Sequence, residues 1–276
     1  MFQHQAEILW NKKISSACYK IGLTCSENYS MAKPGQFIML RVAGQTDPLL
    51  RRPFSIHQLI ISKGKIQGIE VLYKVVGKGT GILAQQPAGK MVDILGPLGT
   101  GFIIPRQTGN LHVVAGGIGV APMVFLASEL HRRNFDFSKS RVFIGGRSKE
   151  DLLCRDDFVQ LGIKVDTTTD DGSAGDQCLV THPLETAVDD QRPDLIVACG
   201  PMAMLSCVIG IAEKHHIPCQ VSIETMMACG MGACLGCAVE SRHEPERYLH
   251  ACLDGPVFDA AVLHIGAEDG LVNEKV

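Results

Sequence analysis

Four cysteines near the C-terminal end constrain this chain more than any other feature. Cys229, Cys234 and Cys237 follow the spacing C-x4-C-x2-C, and Cys252 closes the set. This is the ligand spacing of plant-type [2Fe–2S] sites. A cluster needs four thiolates around one small cage, so the loop must wrap tightly. Gly230, Gly232, Ala233 and Gly236 are small enough to let it. Backbone N–H groups of such a loop also donate to the sulfurs. Zinc is the competing metal, although it usually takes paired CxxC or HxxxH ligands. Buried cysteines gathered by chance are the non-metal alternative. The other seven, Cys18, Cys25, Cys154, Cys178, Cys199, Cys207 and Cys219, have no ligand spacing and are expected to be mostly small buried apolar residues.

Eleven cysteines in 276 residues is an odd count in a chain that is not small. The start, MFQHQAEILWNKK, lacks the basic-then-apolar form of a signal peptide. A disulfide framework is therefore not expected, and a cytoplasmic location is. With 46% hydrophobic residues the chain can bury a real core, and its length suggests two domains plus a small module. A net charge of −3 provides no basic field for nucleic acid or for an anionic membrane. Two long uncharged runs, around AGGIGVAPMVFLA and in LIVACGPMAMLSCVIGIA, raise a membrane span. Each carries a Gly/Pro break in its middle and reads better as buried strand, tight turn, then helix.

Three pieces follow. Residues 1–104 show short β-like runs (QFIMLRV, FSIHQLI, IQGIEVLYKVV, MVDILGPLG) broken by Gly, Pro and Asn, which suggests an antiparallel barrel or sandwich. The linker IIPRQTGN, residues 103–110 with Pro105 and Gly109 as breakers, leads into the second piece, residues 105–219. Strand and helix patterns then alternate: LHVVAGG before PMVFLASELHRR, RVFIGG before SKEDLLCRDDFVQL, DLIVACG before PMAMLSCVIGIAEKH. That alternation predicts a doubly wound parallel α/β sheet. Residues 220–276 form the Cys- and Gly-rich module with a weakly acidic tail.

Gly116, Gly117 and Gly119 follow an apolar run and open a helix, with Pro122 in its first turn. Glycines there let a pyrophosphate approach the backbone at a helix N-terminus, although this is not the G-x-G-x-x-G fingerprint. A glycine-rich turn without a ligand is the alternative. Cys199, Gly200 and Pro201 repeat the design after another strand, and two such loops would face one crevice. Arg52-Pro53-Phe54-Ser55, with Leu72-Tyr73-Lys74 and Gly79-Thr80, forms a third set. Arg52 can pair with a phosphate, and the ring and hydroxyl beside it suit a flat ring system. An ordinary surface arginine on a barrel is the alternative.

R-P-F-S, G-x-G-T, G-G-x-G-x-A-P and C-G-P-x-x-M, in that order, resemble the ferredoxin–NADP reductase superfamily. Its N-terminal barrel holds FAD, and its α/β domain holds the pyridine nucleotide. M-A-C-G-M-G-A-C-L-G-C, closed by C-L-D-G-P-V-F, narrows the resemblance to the electron transfer subunits of class 1B dihydroorotate dehydrogenases. The resemblance implies FAD contacts at Arg52–Ser55, Leu72–Lys74 and Gly79–Thr80, and a [2Fe–2S] cluster on Cys229, Cys234, Cys237 and Cys252. It also implies a catalytic FMN subunit as partner, in a two-plus-two heterotetramer serving pyrimidine biosynthesis. Electrons would pass from FMN through the cluster and FAD to NAD⁺. No residue is expected to act as a catalytic acid, base or nucleophile here. Phe54 replaces the tyrosine common in the superfamily, so stacking survives without a phenolic hydrogen bond. The C-terminal aromatic that covers the flavin in simpler reductases is missing.

Subunits of ferredoxin-, sulfide- or hydrogenase-linked NAD(P) reductases share the architecture, and one such group has aspartate as first cluster ligand where Cys229 stands here. A non-enzymatic redox sensor is the alternative from another class. NAD and NADP are not separated by any assignable residue. Asp170 and Asp171 read as a solvated loop near the nucleotide, and His215 and His216 as the end of a helix. Glu224 stands close before the cluster loop and Arg147 follows RVFIGG; each has a structural reading beside a functional one.

Overall fold

The computed structural model describes residues 1–42, 47–244 and 246–265; most of the acidic tail lies outside them. The first piece contains β1 (Phe2–Lys13), β2 (Cys18–Thr24), β3 (Phe37–Arg41), β4 (Arg52–Ser55), β5 (Gln58–Ser62), β6 (Lys65–Lys74), helix α1 (Lys78–Ala84) and β7 (Met91–Leu98). These strands form one sheet in the order β4-β3-β7-β1-β2-β6-β5, antiparallel throughout. The run FSIHQLI divides between the two edge strands. Only Ile56 and His57 join β4 on one edge to β5 on the other, so the sheet must curl until its edges nearly meet. The curl encloses a core of Ala6, Ile8, Ile21, Ile38, Ile69 and Val71, all fully buried. In β1 buried Ala6 and Ile8 alternate with exposed Gln5, Glu7 and Leu9, the period-2 pattern of a half-buried strand, whereas β3 is buried from Phe37 to Leu40.

The second piece runs β8 (Leu111–Gly116), α2 (Val120–Arg132), β9 (Arg141–Gly146), α3 (Arg155–Val159), β10 (Lys164–Thr169), α4 (Thr181–Asp190), β11 (Leu195–Cys199), α5 (Met202–Lys214) and β12 (Cys219–Ser222). Strand order is β10-β9-β8-β11-β12, all parallel, with a switch between β8 and β11. β8 and β11 are buried along their whole length, as central parallel strands covered on both faces are. SKEDLLCRDDFVQL forms only a short turn at Lys149–Asp151 and the five-residue α3, because Cys154 takes a left-handed conformation between them.

The third piece adds the hairpin β13 (Ala238–Glu240) and β14 (Tyr248–His250), then β15 (Val257–Asp259). β15 pairs antiparallel with β12 and so completes the nucleotide sheet. Thr100, just past β7, receives Gly255: its N–H donates to the Gly255 carbonyl, and its hydroxyl donates to that of Val257 at 3.0 Å. Among the described residues, no helix is long and apolar enough to cross a membrane.

Candidate cofactor and nucleotide sites

The cysteine loop, 229–237, lies against the wall of the curled sheet. A Cβ at Gly230 would overlap the Met39 side chain of β3 and stand 3.4 Å from Leu98 of β7. One at Gly232 would overlap Leu253, and both glycines have left-handed backbone, with φ of 71° and 80°. Glycine alone meets both demands at these positions. The four cysteines stand as two pairs, Cys229 with Cys234 on the loop and Cys237 at its end with Cys252 beyond β14, and among the described residues no three His, Cys, Asp or Glu side chains stand together as a ready metal site. Cys237 and Cys252 are buried with sulfurs 3.2 Å apart, and Cys229 interacts through its thiol with Cys234. Met231 and Cys234 each direct an N–H to Cys229 Sγ at 3.4 Å, and Gly232 directs one to Cys252 Sγ at 3.2 Å. Burial pushes the Cys229 thiol up, but the donated N–H bonds outweigh it and bring the group down to about 7. Burial and the adjoining Cys237 push Cys252 up to about 12. Two thiol pairs with backbone N–H donors are a donor set that suits a two-iron cluster in which each metal takes two sulfurs.

The two glycine loops meet at the switch between β8 and β11. A Cβ at Gly200 would stand 2.9 Å from the Gly116 nitrogen, and one at Gly116 would stand 2.7 Å from Pro201. Gly117 is different: nothing lies within 4 Å of the place a Cβ would take. The crevice therefore has packed walls and an open floor, at the carboxyl ends of the parallel strands where such sheets bind ligands. Cys199 is buried at its edge, with its thiol bonded to Ser222. Burial, then the Glu224 carboxylate, push that thiol far up, so Cys199 stays neutral. Sequence reading missed Thr225, whose hydroxyl is buried without a hydrogen-bond partner just beyond β12. No residue pattern marks it.

In the third set, Arg52 lies over the turn that opens α1, since a Cβ at Gly79 would come 3.4 Å from its Nε. The Arg52 guanidinium donates to the Leu50 carbonyl at 2.7 Å. Thr80's hydroxyl accepts from the N–H groups of Val76 and Gly77 at 3.0 and 3.2 Å, so it shapes the turn. Phe54 meets Tyr73 edge to face, with centroids 5.8 Å apart. Tyr73 turns its side chain into the curled sheet, where its hydroxyl donates to Asn11 at 3.0 Å, while Leu72 on the opposite face of β6 packs in the core of the nucleotide domain. Lys74 pairs with Asp151 at 3.0 Å. Around Leu72–Lys74 only the backbone is left to meet a ligand.

Among the other cysteines, Cys18, Cys199 and Cys219 are buried, Cys25, Cys154 and Cys178 are half-buried, and Cys207 is exposed on the outer face of α5. The general expectation of burial thus fails for several of them. Asp171 accepts the Ser173 N–H at 2.9 Å and its loop is exposed, as expected of a solvated turn. His215 follows α5 and stands 3.6 Å from Asp189.

Known proteins correspond to this arrangement piece by piece. Residues 224–264, which hold all four cysteines, match the iron–sulfur cluster binding domain of dihydroorotate dehydrogenase B. Residues 113–209, which hold both glycine loops, match the oxidoreductase NAD-binding domain. The dihydroorotate dehydrogenase B (NAD(+)) electron transfer subunit of Desulforamulus reducens is 38% identical over 92% of this chain and 95% of its own length. The chain belongs to this family of electron transfer subunits. The family's protein of the same name from Enterococcus faecalis is 34% identical over 94% of this chain and 97% of its own. In structure, a chain of the NADH-dependent reduced ferredoxin-NADP oxidoreductase superposes with a TM-score of 0.81 at 27% identity, over 96% of this chain and 91% of that one. The ferredoxin NADP⁺ reductase of Neisseria gonorrhoeae shares the fold at a TM-score of 0.65 and 17% identity, over 77% of this chain and 91% of that one. The curled sheet and parallel α/β sheet are thus those of ferredoxin–NADP reductases, extended by an iron–sulfur module.

Proposed function

We propose that this chain is the electron transfer subunit of an NAD-dependent dihydroorotate dehydrogenase, working with a catalytic FMN subunit in a two-plus-two assembly in the cytoplasm. The observation that carries this reading is the pairing of Cys229 with Cys234 and of Cys237 with Cys252, three of the four on a loop seated against the curled sheet. When bound, a [2Fe–2S] cluster supplies one-electron chemistry, a flavin both one- and two-electron chemistry, and NAD⁺ accepts a hydride. The four cysteines hold the cluster. Arg52 gives a charge-assisted bond to the FAD diphosphate, Pro53, Phe54 and Ser55 meet the flavin, and the backbone of Leu72–Lys74 and of Gly79–Thr80 completes the contact. Gly116, Gly117 and Gly119 seat the NAD pyrophosphate, with Cys199, Gly200 and Pro201 forming the facing wall. FAD belongs to residues 1–104, the nucleotide to 105–219 and the cluster to 220–276, with β12 and β15 sewing the last two together.

The test is reconstitution. Alone, the purified holoprotein should pass electrons from NADH to artificial acceptors and leave dihydroorotate untouched. Mixing with an FMN-containing dihydroorotate dehydrogenase subunit should create dihydroorotate:NAD⁺ activity. Robust oxidation of dihydroorotate by the isolated chain would overturn the reading.

A further inference from the structure

The two-residue link between β4 and β5 also reaches the nucleotide domain. The Ile56 N–H donates to the Gln36 carbonyl at 3.0 Å, and the His57 N–H donates to the Glu70 carbonyl at 2.8 Å, so the seam of the curled sheet runs between these neighbours. The His57 ring is fully buried, and its Nδ1 lies 2.9 Å from the carbonyl oxygen of Ala121 in the first turn of α2. A carbonyl only accepts, so Nδ1 carries the proton. Nε2, left without a proton, has no hydrogen-bond partner among the described residues; the Glu70 carboxylate oxygen 3.4 Å away is an acceptor too and is itself 3.4 Å from Lys20 Nζ. Burial, with Lys20 second, holds the imidazole down at about 4, which keeps it neutral.

His57 is not an isolated tie. Ala121, Phe125 and Ser128 lie on one face of α2. Phe125 packs in the core of the curled sheet, and Ser128 Oγ accepts from Gln58 Nε2 at 3.3 Å. The helix that begins at the nucleotide loop is thus fastened to the strand continuing directly from Arg52–Ser55. Next to buried Phe125 and the Lys74–Asp151 pair, one hydrogen bond does little to hold two domains together. What it supplies is direction.

We infer that His57 is a positioning residue for hydride transfer, its bond to Ala121 fixing the nucleotide loop relative to the strand that carries the flavin contacts. This rests on the functional reading above, in which flavin and nicotinamide react across the crevice. Such a transfer needs reacting atoms about 3–3.5 Å apart, and an error of about 1 Å costs about a hundredfold.

The experiment compares His57→Ala with His57→Asn in the FAD-loaded full chain. The asparagine amide keeps a donor near the place of Nδ1. Stopped-flow reduction at saturating NADH should give a limiting rate about tenfold lower in the alanine variant and within about threefold of the unaltered protein in the asparagine variant. FAD content and the Kd for NADH should stay within about twofold in both. Amide exchange across 116–125, read without turnover, should speed up in the alanine variant alone. If His57→Ala fails to retain FAD, Ser128→Ala, which loosens the same face, should lower the limiting rate about threefold. An unchanged limiting rate in the variant measured, or equal slowing by alanine and asparagine, overturns the inference alone. An unaltered protein whose flavin NADH does not reduce overturns the functional reading and this inference with it.

Discussion

Gly119 rests directly on Cys199: a Cβ at Gly119 would overlap the Cys199 carbonyl, whereas two residues earlier a Cβ at Gly117 would touch nothing. The two glycines of one motif therefore do different work. Gly119 lets α2 start against the end of β11, and Gly117 leaves the floor of the crevice open.

Gly117→Ala is expected to raise the Kd for NADH about tenfold or more, because the new methyl occupies the approach to the backbone, and to cost about 1 kcal/mol of stability besides, because Gly117 holds a left-handed backbone with φ of 51°. FAD content and iron content should not change. Gly119→Ala should instead destabilise the fold by about 1–3 kcal/mol, the usual cost of overpacking. Urea unfolding beside NADH titration separates the two.

Arg52→Ala should weaken FAD retention by about 1.5–3 kcal/mol, the worth of a hydrogen bond to a charged group. The readout is the flavin:protein ratio after gel filtration, with the flavin released by acid and identified by chromatography. Finding FMN in the unaltered protein would contradict the assignment of this site.

Each of Cys229→Ser, Cys234→Ser, Cys237→Ser and Cys252→Ser should lose or destabilise the cluster, seen as a changed or missing EPR signal after dithionite reduction. Cys207→Ser, on the exposed face of α5, should leave both iron content and signal unchanged. A zinc-loaded, EPR-silent unaltered protein would refute the iron assignment.

The pH dependence of stability carries a definite sign. Burial holds both His57 and His112 down at about 4, against an ordinary 6.5, with Lys20 and Arg141 respectively adding to it. The unfolded chain therefore binds protons that the folded chain refuses between about pH 6.5 and pH 4. Stability from these two groups is fully present above 6.5 and is lost as pH falls through that window. His112→Leu should flatten the fall in urea midpoint between pH 7 and pH 5 by one proton's share, compared with the unaltered protein.

Local pattern made the chemistry legible. The C-x4-C-x2-C spacing and the glycines within it announced the cluster loop, since both follow from what a metal cage demands of adjacent residues. The loops after β8 and β11 were legible for the same reason. Strand partnership was not. FSIHQLI is one apolar run in the sequence, and nothing local says that it changes sheet edges between Ile56 and His57. The partner of the His57 ring, Ala121, lies in another domain. Leu72 and Tyr73 fall in the family's flavin motif, yet both side chains are buried, Tyr73 inside the curled sheet and Leu72 against the nucleotide domain, a burial that depends on partners far away in the sequence. β15 is too short to announce itself, and it forms because β12 presents a free edge.

The three residues of β15 decide what kind of attachment the iron site has. That strand belongs to the nucleotide sheet, Gly255 and Val257 hold Thr100 at the exit of the curled sheet, and Gly230 sits on Met39. The C-terminal piece is a clasp across both larger domains, not a bead hung on the end of the chain. Backbone bonds from this one short piece therefore reach the exit of the curled sheet and the edge of the nucleotide sheet at once, so a shift of either sheet must carry the cysteine-bearing piece with it.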